Sequence, residues 1–249
     1  WNWKAGGSAS SNSDGTGITS SVSANTTAGF SIVSYTGSGT TSNTVGHGLS
    51  SIDWLIVKSR DEADSWFVKH KSLSSNHNLN LNQTVAQTNV TSAYSEGGLS
   101  NLSGNTFGFL DGTSDANAVN ESGEKHIAYC FKEVKGYSKF GSYTGNGNAD
   151  GTFVYTGFSP SFVIFKSSSN TTEWILHDNK RLGYNGAVRA LFPNNSDPDS
   201  SNSRMDFVSN GFKIRDSSEH WNGNGYSFIY MAFAEAPFVN SKGVPCNAR

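Results

Sequence analysis

Apolar and polar side chains alternate along most of the chain in short runs: FSIVSY, WLIVK, SWFVKH, NLNLN, FGFLD and IAYCF, then FVIFK, EWILH, DFVSN, FKIRD and FIYMAF. Alternation with a period of two sends successive side chains to opposite faces of an extended segment, so each run predicts a β-strand with one buried face. Gly, Asn, Ser and Asp cluster at the ends of the runs, which is the chemistry of strand-joining turns. No window sustains a helical period. A sheet with one apolar face needs a second layer over it, so the pattern predicts an all-β fold built from antiparallel β-sandwiches, jelly-roll-like in their short strands.

The runs also repeat. GFSIVSYTGSG at 29–39 returns as GYSKFGSYTGNG at 136–147, which sets Tyr35 and Tyr143 108 positions apart. Lys58 and Lys166 keep that interval, as do Trp66 and Trp174, and this recurrence in register assigns both tryptophans to cores. Further on, SGEKHIAYCFKEV at 122–134 is answered by NGYSFIYMAFAEA at 224–236, with Phe131 and Glu133 opposite Phe233 and Glu235. Two tandem sandwich repeats are therefore expected, over 18–134 and 135–238, followed by a tail at 239–249. The opening WNWKA aligns with YCFKE, so residues 1–17 are expected to hold the closing strand of a preceding repeat and a linker, with Trp1 and Trp3 buried against a sheet.

Charge narrows the list of partners. Across 249 residues the net charge is −2 and charged residues make up only 15%. No basic stripe exists to follow a phosphate backbone, so nucleic acid is not an expected partner. Runs such as IDWLIV are far shorter than a membrane span, and no membrane partner is expected. Cys130 and Cys246 give no disulfide framework and read as two free thiols.

Several phrases resemble a known group: GFSIVSYTGSG, GHGLSS, LIVKSR, SKFGSYTGNG, FVYTGF, FVSNGFKIR, YMAFAEAPF and the terminal VNSKGVPCNAR. Together they are similar to an uncharacterised tandem β-repeat family of large structural proteins in marine tailed bacteriophages. The resemblance implies a virion appendage, a tail fibre or similar fibre, located on the extracellular particle. Its implied partners are other virion proteins and its own subunits, with a trimer expected by analogy. It brings no catalytic or ligand residues with it.

The residues themselves offer little catalytic chemistry. Glycoside hydrolysis needs two facing carboxylates. Glu133 and Glu235 are one repeat position and fall in different units, while Asp111, Glu121 and Glu124 sit in a loop that the second repeat lacks. The six histidines show no metal-binding spacing, and no nucleophile elbow occurs. Asp197, Asp199 and Asp206, in and beside NNSDPDSSNSRMD, are candidate Ca²⁺ ligands because hard oxygens gather there; no other cofactor is expected. Binding by aromatic rings and amides remains, the usual grip on sugars. Trp221 and Tyr184 sit among turn residues, and with His220, Asn185 and Arg189 they form the candidate contact set for a bacterial surface glycan. Trp54, Tyr94 and Trp221, read as apolar side chains in turns, point to a homo-oligomer. The leading function is a non-enzymatic fibre module with glycan adhesion towards its C-terminal end; the alternatives are a polysaccharide depolymerase and a purely architectural spacer or decoration protein.

Overall fold

The alternating runs fold as strands in the computed structural model, which describes residues 2–91, 98–100, 102–110, 118–181, 189–200 and 204–237. Internal packing divides the chain into two units. The first comprises the described residues within Trp1–Leu81 and Gln87–Lys132, the second those within Asn82–Ala86 and Glu133–Arg249.

The first unit holds β1 (Ser10–Asn12), β2 (Ser20–Asn25), β3 (Phe30–Thr36), β4 (Thr44–Gly46), β5 (Trp54–Ser59), β6 (Phe67–His70), β7 (His77–Asn80), β8 (Thr88–Asn89), β9 (Gly98–Ser100), β10 (Thr106–Leu110) and β11 (Lys125–Phe131). Its large sheet has the order β1-β2-β3-β11-β5-β6-β7-β8, and its small sheet β4-β10-β9. The second unit holds β12 (Ser138–Thr144), β13 (Phe153–Tyr155), β14 (Pro160–Ser167), β15 (Ile175–Asp178), β16 (Ala190–Leu191), β17 (Met205–Val208), β18 (Gly211–Ile214), a one-turn helix α1 (Glu219–Asn222) and β19 (Ser227–Ala234). Its sheets are β12-β19-β14-β15-β16 and β13-β18-β17. Taken in chain order, the second unit reproduces β3-β11-β5-β6-β7 and β4-β10-β9 of the first. The first unit adds β1 and β2 outside β3, where the second has no counterpart among the described residues.

Parity decides which side chains are buried. On β11 and its neighbours, Val33, Tyr35, Leu55, Val57, Ala128 and Cys130 face inward and meet Val45, Phe107 and Phe109 of the small sheet. The second core is made alike, from Tyr143, Val163, Phe165, Phe228 and Tyr230 against Val154, Phe212 and Ile214. Each such Val, Leu, Ile or Phe side chain stabilises its unit by about 1.5 to 3 kcal/mol relative to exposure. Cys130 is a free thiol with no accessible surface, and burial pushes it up to about 12. Cys246 lies outside the described residues.

Two expectations need correction. Trp174 is fully buried, but Trp66 is 37% exposed and lies nearly parallel to Tyr129, with ring centroids 6.5 Å apart. Trp54 is a core residue of β5 and not a turn residue, because its run pairs on both sides, with β11 and β6. Residues 2–6 form no strand. Trp3 instead caps Phe30 and Phe131, paired across β3 and β11, with ring centroids at 6.4 and 5.6 Å. That apolar end of the sheet gives the Trp3 ring a local place to bury. Trp1 and Tyr94 lie outside the described residues.

Candidate functional site

Many of the buried polar groups that look functional hold turns, and they do so in both units. Asn120 accepts from the Ser38 N–H through Oδ1 (2.9 Å) and donates through Nδ2 to the Thr40 carbonyl (3.1 Å). Asn222 does the same in the second unit, accepting from Asn146 N–H (3.0 Å) and donating to the Asn148 carbonyl (2.8 Å). The turn between them needs glycine. A Cβ on Gly37 would lie 2.1 Å from the Glu121 carbonyl oxygen, and one on Gly145 2.2 Å from that of Gly223. The repeated lysines are used in the same way. Lys58 donates to the carbonyls of Ser59 and Glu62 (2.6 and 2.7 Å), and Lys166 to those of Ser167 and Asn170 (2.7 and 3.3 Å). Burial lowers the Lys166 ammonium to about 8.

Of the expected contact set, Trp221 turns into the core. Trp221 sits on α1, 3% exposed, with its ring packed on Phe165 (5.4 Å) and His177 (4.8 Å) and the Arg204 guanidinium 5.7 Å away over its face. The physical reason is the repeat itself. The Tyr143 hydroxyl donates to the Trp221 carbonyl just as Tyr35 donates to that of Val119, so the indole fills the place of a core valine. His220 is exposed, and its Nδ1 accepts from the Glu173 N–H at 3.4 Å. Arg189 donates from Nη1 to both carboxylate oxygens of Asp199 (3.1 and 3.2 Å). Tyr184 and Asn185 lie outside the described residues.

Each candidate Ca²⁺ ligand has a protein partner. Asp199 is shared by Arg189 and Arg181, Asp206 accepts from Arg215 Nε (2.6 Å), and Asp197 accepts from Asn195 Nδ2 (3.0 Å). Among the described residues no three His, Cys, Asp or Glu side chains converge.

An aromatic platform does exist, on β13. Its run Phe153-Val154-Tyr155 puts Val154 in the core, while Phe153 is 45% and Tyr155 64% exposed. Pairing with β18 and β17 places Phe153 in a row with Lys213 and Asp206, and Tyr155 in a row with Gly211 and Val208. Gly211 makes the surface flat. A Cβ there would lie 2.0 Å from the Val154 carbonyl oxygen and 3.1 Å from Phe153 Cε2.

Charged groups rim the two rings. Lys213 Nζ lies 2.9 Å from Asp150, Arg215 Nη1 3.5 Å from the same carboxylate, and Arg215 Nε bonds Asp206. The Lys213 hydrogen bond and charge hold the Asp150 carboxyl below its usual range. The corresponding strand of the first unit carries Thr44 and Gly46 in place of the rings, and a Cβ on Gly46 would strike Asn12 Oδ1 at 1.7 Å. The available signal was FVY against TVG, aromatic residues at both outward positions of one repeat and at neither of the other.

Residues 1–237 match a family described as a domain of unknown function, DUF7483. The chain belongs to that family. The DUF7483 match takes in the described strands of both units and the whole of the β13 platform. No curated protein and no solved structure matches the chain.

Proposed function

We propose that this chain is a non-enzymatic module of a fibre-type virion appendage that binds a host-surface saccharide on the Phe153–Tyr155 platform. The carrying observation is the exposure of both rings on an otherwise buried and paired strand, flanked by Lys213, Arg215, Asp150 and Asp206. Pyranose rings present an apolar C–H face that stacks on aromatic surface, and their hydroxyls pair with charged groups at the edge. Large apolar groups left in water at one spot mark contact surfaces. The doubled asparagine and lysine clamps support the structural half of the reading, since they fix turn backbone in both units. The virion setting rests on the sequence resemblance, and a homo-oligomer is part of the proposal because weak single-site sugar contacts become useful when several engage at once.

Oligosaccharide binding followed by saturation-transfer NMR tests the site. Phe153→Ala and Tyr155→Ala are expected to abolish ring-proximal saturation with the melting temperature unchanged. Binding that survives both substitutions, or release of reducing ends from host polysaccharide by the purified protein, would overturn the reading.

A further inference from the structure

The outer face of the first unit's large sheet carries a second kind of surface. Cross-strand register lines up Ser11, Ser21 and Ser34 on β1, β2 and β3. Thr36 lies opposite Lys125, and the Arg60 N–H continues the ladder by donating to the Lys125 carbonyl (2.7 Å), so the side chains of Arg60 and Lys125 project to the same outer side. Ser11, Ser21, Ser34, Thr36, Arg60 and Lys125 are among the residues that line an open groove of about 420 Å³ here, as is Tyr35; Ser20, also at the groove, is buried and donates to the Gly46 carbonyl. Tyr35 contributes no platform, because its ring is buried in the core and its hydroxyl donates to Val119.

The charges at this end are sorted across the sheet. Asp61 and Glu124 follow Arg60 and precede Lys125, so they turn to the other side. Glu124 Oε2 lies 3.3 Å from Ser59 Oγ and 3.9 Å from His126 Nε2, both core-facing, and Asp61 accepts from the Lys125 backbone N–H (2.8 Å). Burial, together with the charges of Glu121, Asp64 and Glu62, raises the Glu124 pKa. The two cations are left on the hydroxyl side, both exposed.

The comparison between units is what gives these cations meaning. The Arg60 N–H to Lys125 carbonyl bond recurs in the second unit as Ser168 N–H to the Ser227 carbonyl (2.8 Å), so the same backbone carries two serines there. The strands that supply Ser11 and Ser21 have no counterpart among the described residues of the second unit. In a repeat that otherwise keeps its lysine, asparagine and tyrosine devices, the first unit carries two cations and a row of hydroxyls at one place.

We propose that this groove binds an acidic saccharide, a uronate or a sulfated sugar, with Arg60 and Lys125 taking the anionic group and the Ser and Thr hydroxyls taking the sugar hydroxyls. Guanidinium and ammonium groups form charge-assisted bonds with carboxylate and sulfate. Serine and threonine hydroxyls both donate and accept, which suits a polyol. The groove offers no exposed ring for stacking a base, so single-stranded nucleic acid is disfavoured. The site lies in the other unit from the β13 platform and stands on its own observations.

Isothermal titration with three probes tests it: an oligouronate, a sulfated oligosaccharide and a neutral oligosaccharide, with inorganic sulfate as competitor. The double variant Arg60→Ser with Lys125→Ser installs what the second unit carries, and both side chains are exposed, so its melting temperature should match the parent. At least one acidic probe is expected to bind, with affinity at least tenfold lower in the double variant and falling as salt rises. Tyr155→Ala should leave this binding unchanged while removing neutral-sugar binding. Equal acidic-probe binding by parent and double variant would overturn the proposal. So would binding of neither acidic probe, or displacement by sulfate at the oligosaccharide's own concentration, which would reduce the groove to an anion contact only. Failure of the platform reading shows separately, as neutral-sugar binding that ignores Tyr155.

Discussion

The phenol ring of Tyr35 lies nearly flat on the imidazole of His126, with centroids 5.0 Å apart and planes 13° off parallel. In the second unit Tyr143 stacks on Phe228 at 4.7 Å and 4°. The stack is therefore a feature of the repeat, made once with a titratable ring and once without. Burial lowers the His126 pKa, so the folded unit holds the neutral ring.

His126→Phe is expected to copy the second unit. Above the histidine's ordinary pKa the variant should stay within about 1.5 kcal/mol of the parent, as for other volume-conserving core changes. At pH 5 it should be the more stable of the two, because only the parent carries the further loss at position 126, where its unfolded chain takes up a proton. Urea unfolding at pH 8 and pH 5 checks this, and a variant weaker than the parent at both values would refute it.

Acid sensitivity should extend beyond His126. Burial lowers His47 to about 4 and both His70 and His177 to about 3, and Nδ1 of His47 and His70 accepts from the N–H of Leu49 and Ser72. These folded values lie below the ordinary 6.5, so the stabilisation is complete above pH 6.5 and is lost as pH falls from there towards 3 to 4. Each histidine contributes a slope of about 1.4 kcal/mol per pH unit within that window. A urea midpoint that stays constant from pH 7 to pH 5 would contradict the buried neutral rings.

Asn222→Ala removes four bonds at once: acceptance from Asn146 N–H and Thr152 Oγ1, and donation to Asn146 Oδ1 and the Asn148 carbonyl. At about 1 kcal/mol per bond or less, the cost is about 2 to 4 kcal/mol. Asn120→Ala should weaken the first unit in the same manner. Denaturation followed by hydrogen exchange would show which unit loosens in each variant.

Phe233→Ala should cost about 3 to 5 kcal/mol, the range for deleting a buried aromatic. Its ring meets Tyr137, Phe140 and Phe162 at centroid distances of 5.4, 6.1 and 6.0 Å. Ser142→Ala, exposed on the facing strand, should stay within about 0.5 kcal/mol. Comparable losses at the two positions would undo the core assignment.

Period and repeat made the architecture readable. Alternation placed Val33, Tyr35, Ala128 and Cys130 inside, and the interval of 108 led from Lys58 to Lys166, whose ammonium groups make matching bonds. The proposed binding surface was harder to read because side-chain chemistry does not reveal parity at a turn. Trp221 stood among Asn, Gly and His, yet one turn of α1 points it into the core. Phe153 and Tyr155 looked like ordinary strand residues, and only the pairing of β13 with β18 shows that both point outward. Asp199 and Asp206 pair with Arg189 and Arg215, contacts that the sequence does not show.

Cys130 turns the first unit into its own reporter. The thiol has no accessible surface, its pKa is pushed up to about 12, and it sits on β11 between β3 and β5. A thiol reagent can reach it only when those strands part, so its rate of modification counts openings of the sheet. The same measurement made with saccharide bound would tell whether occupying the hydroxyl face quiets the strands that carry it.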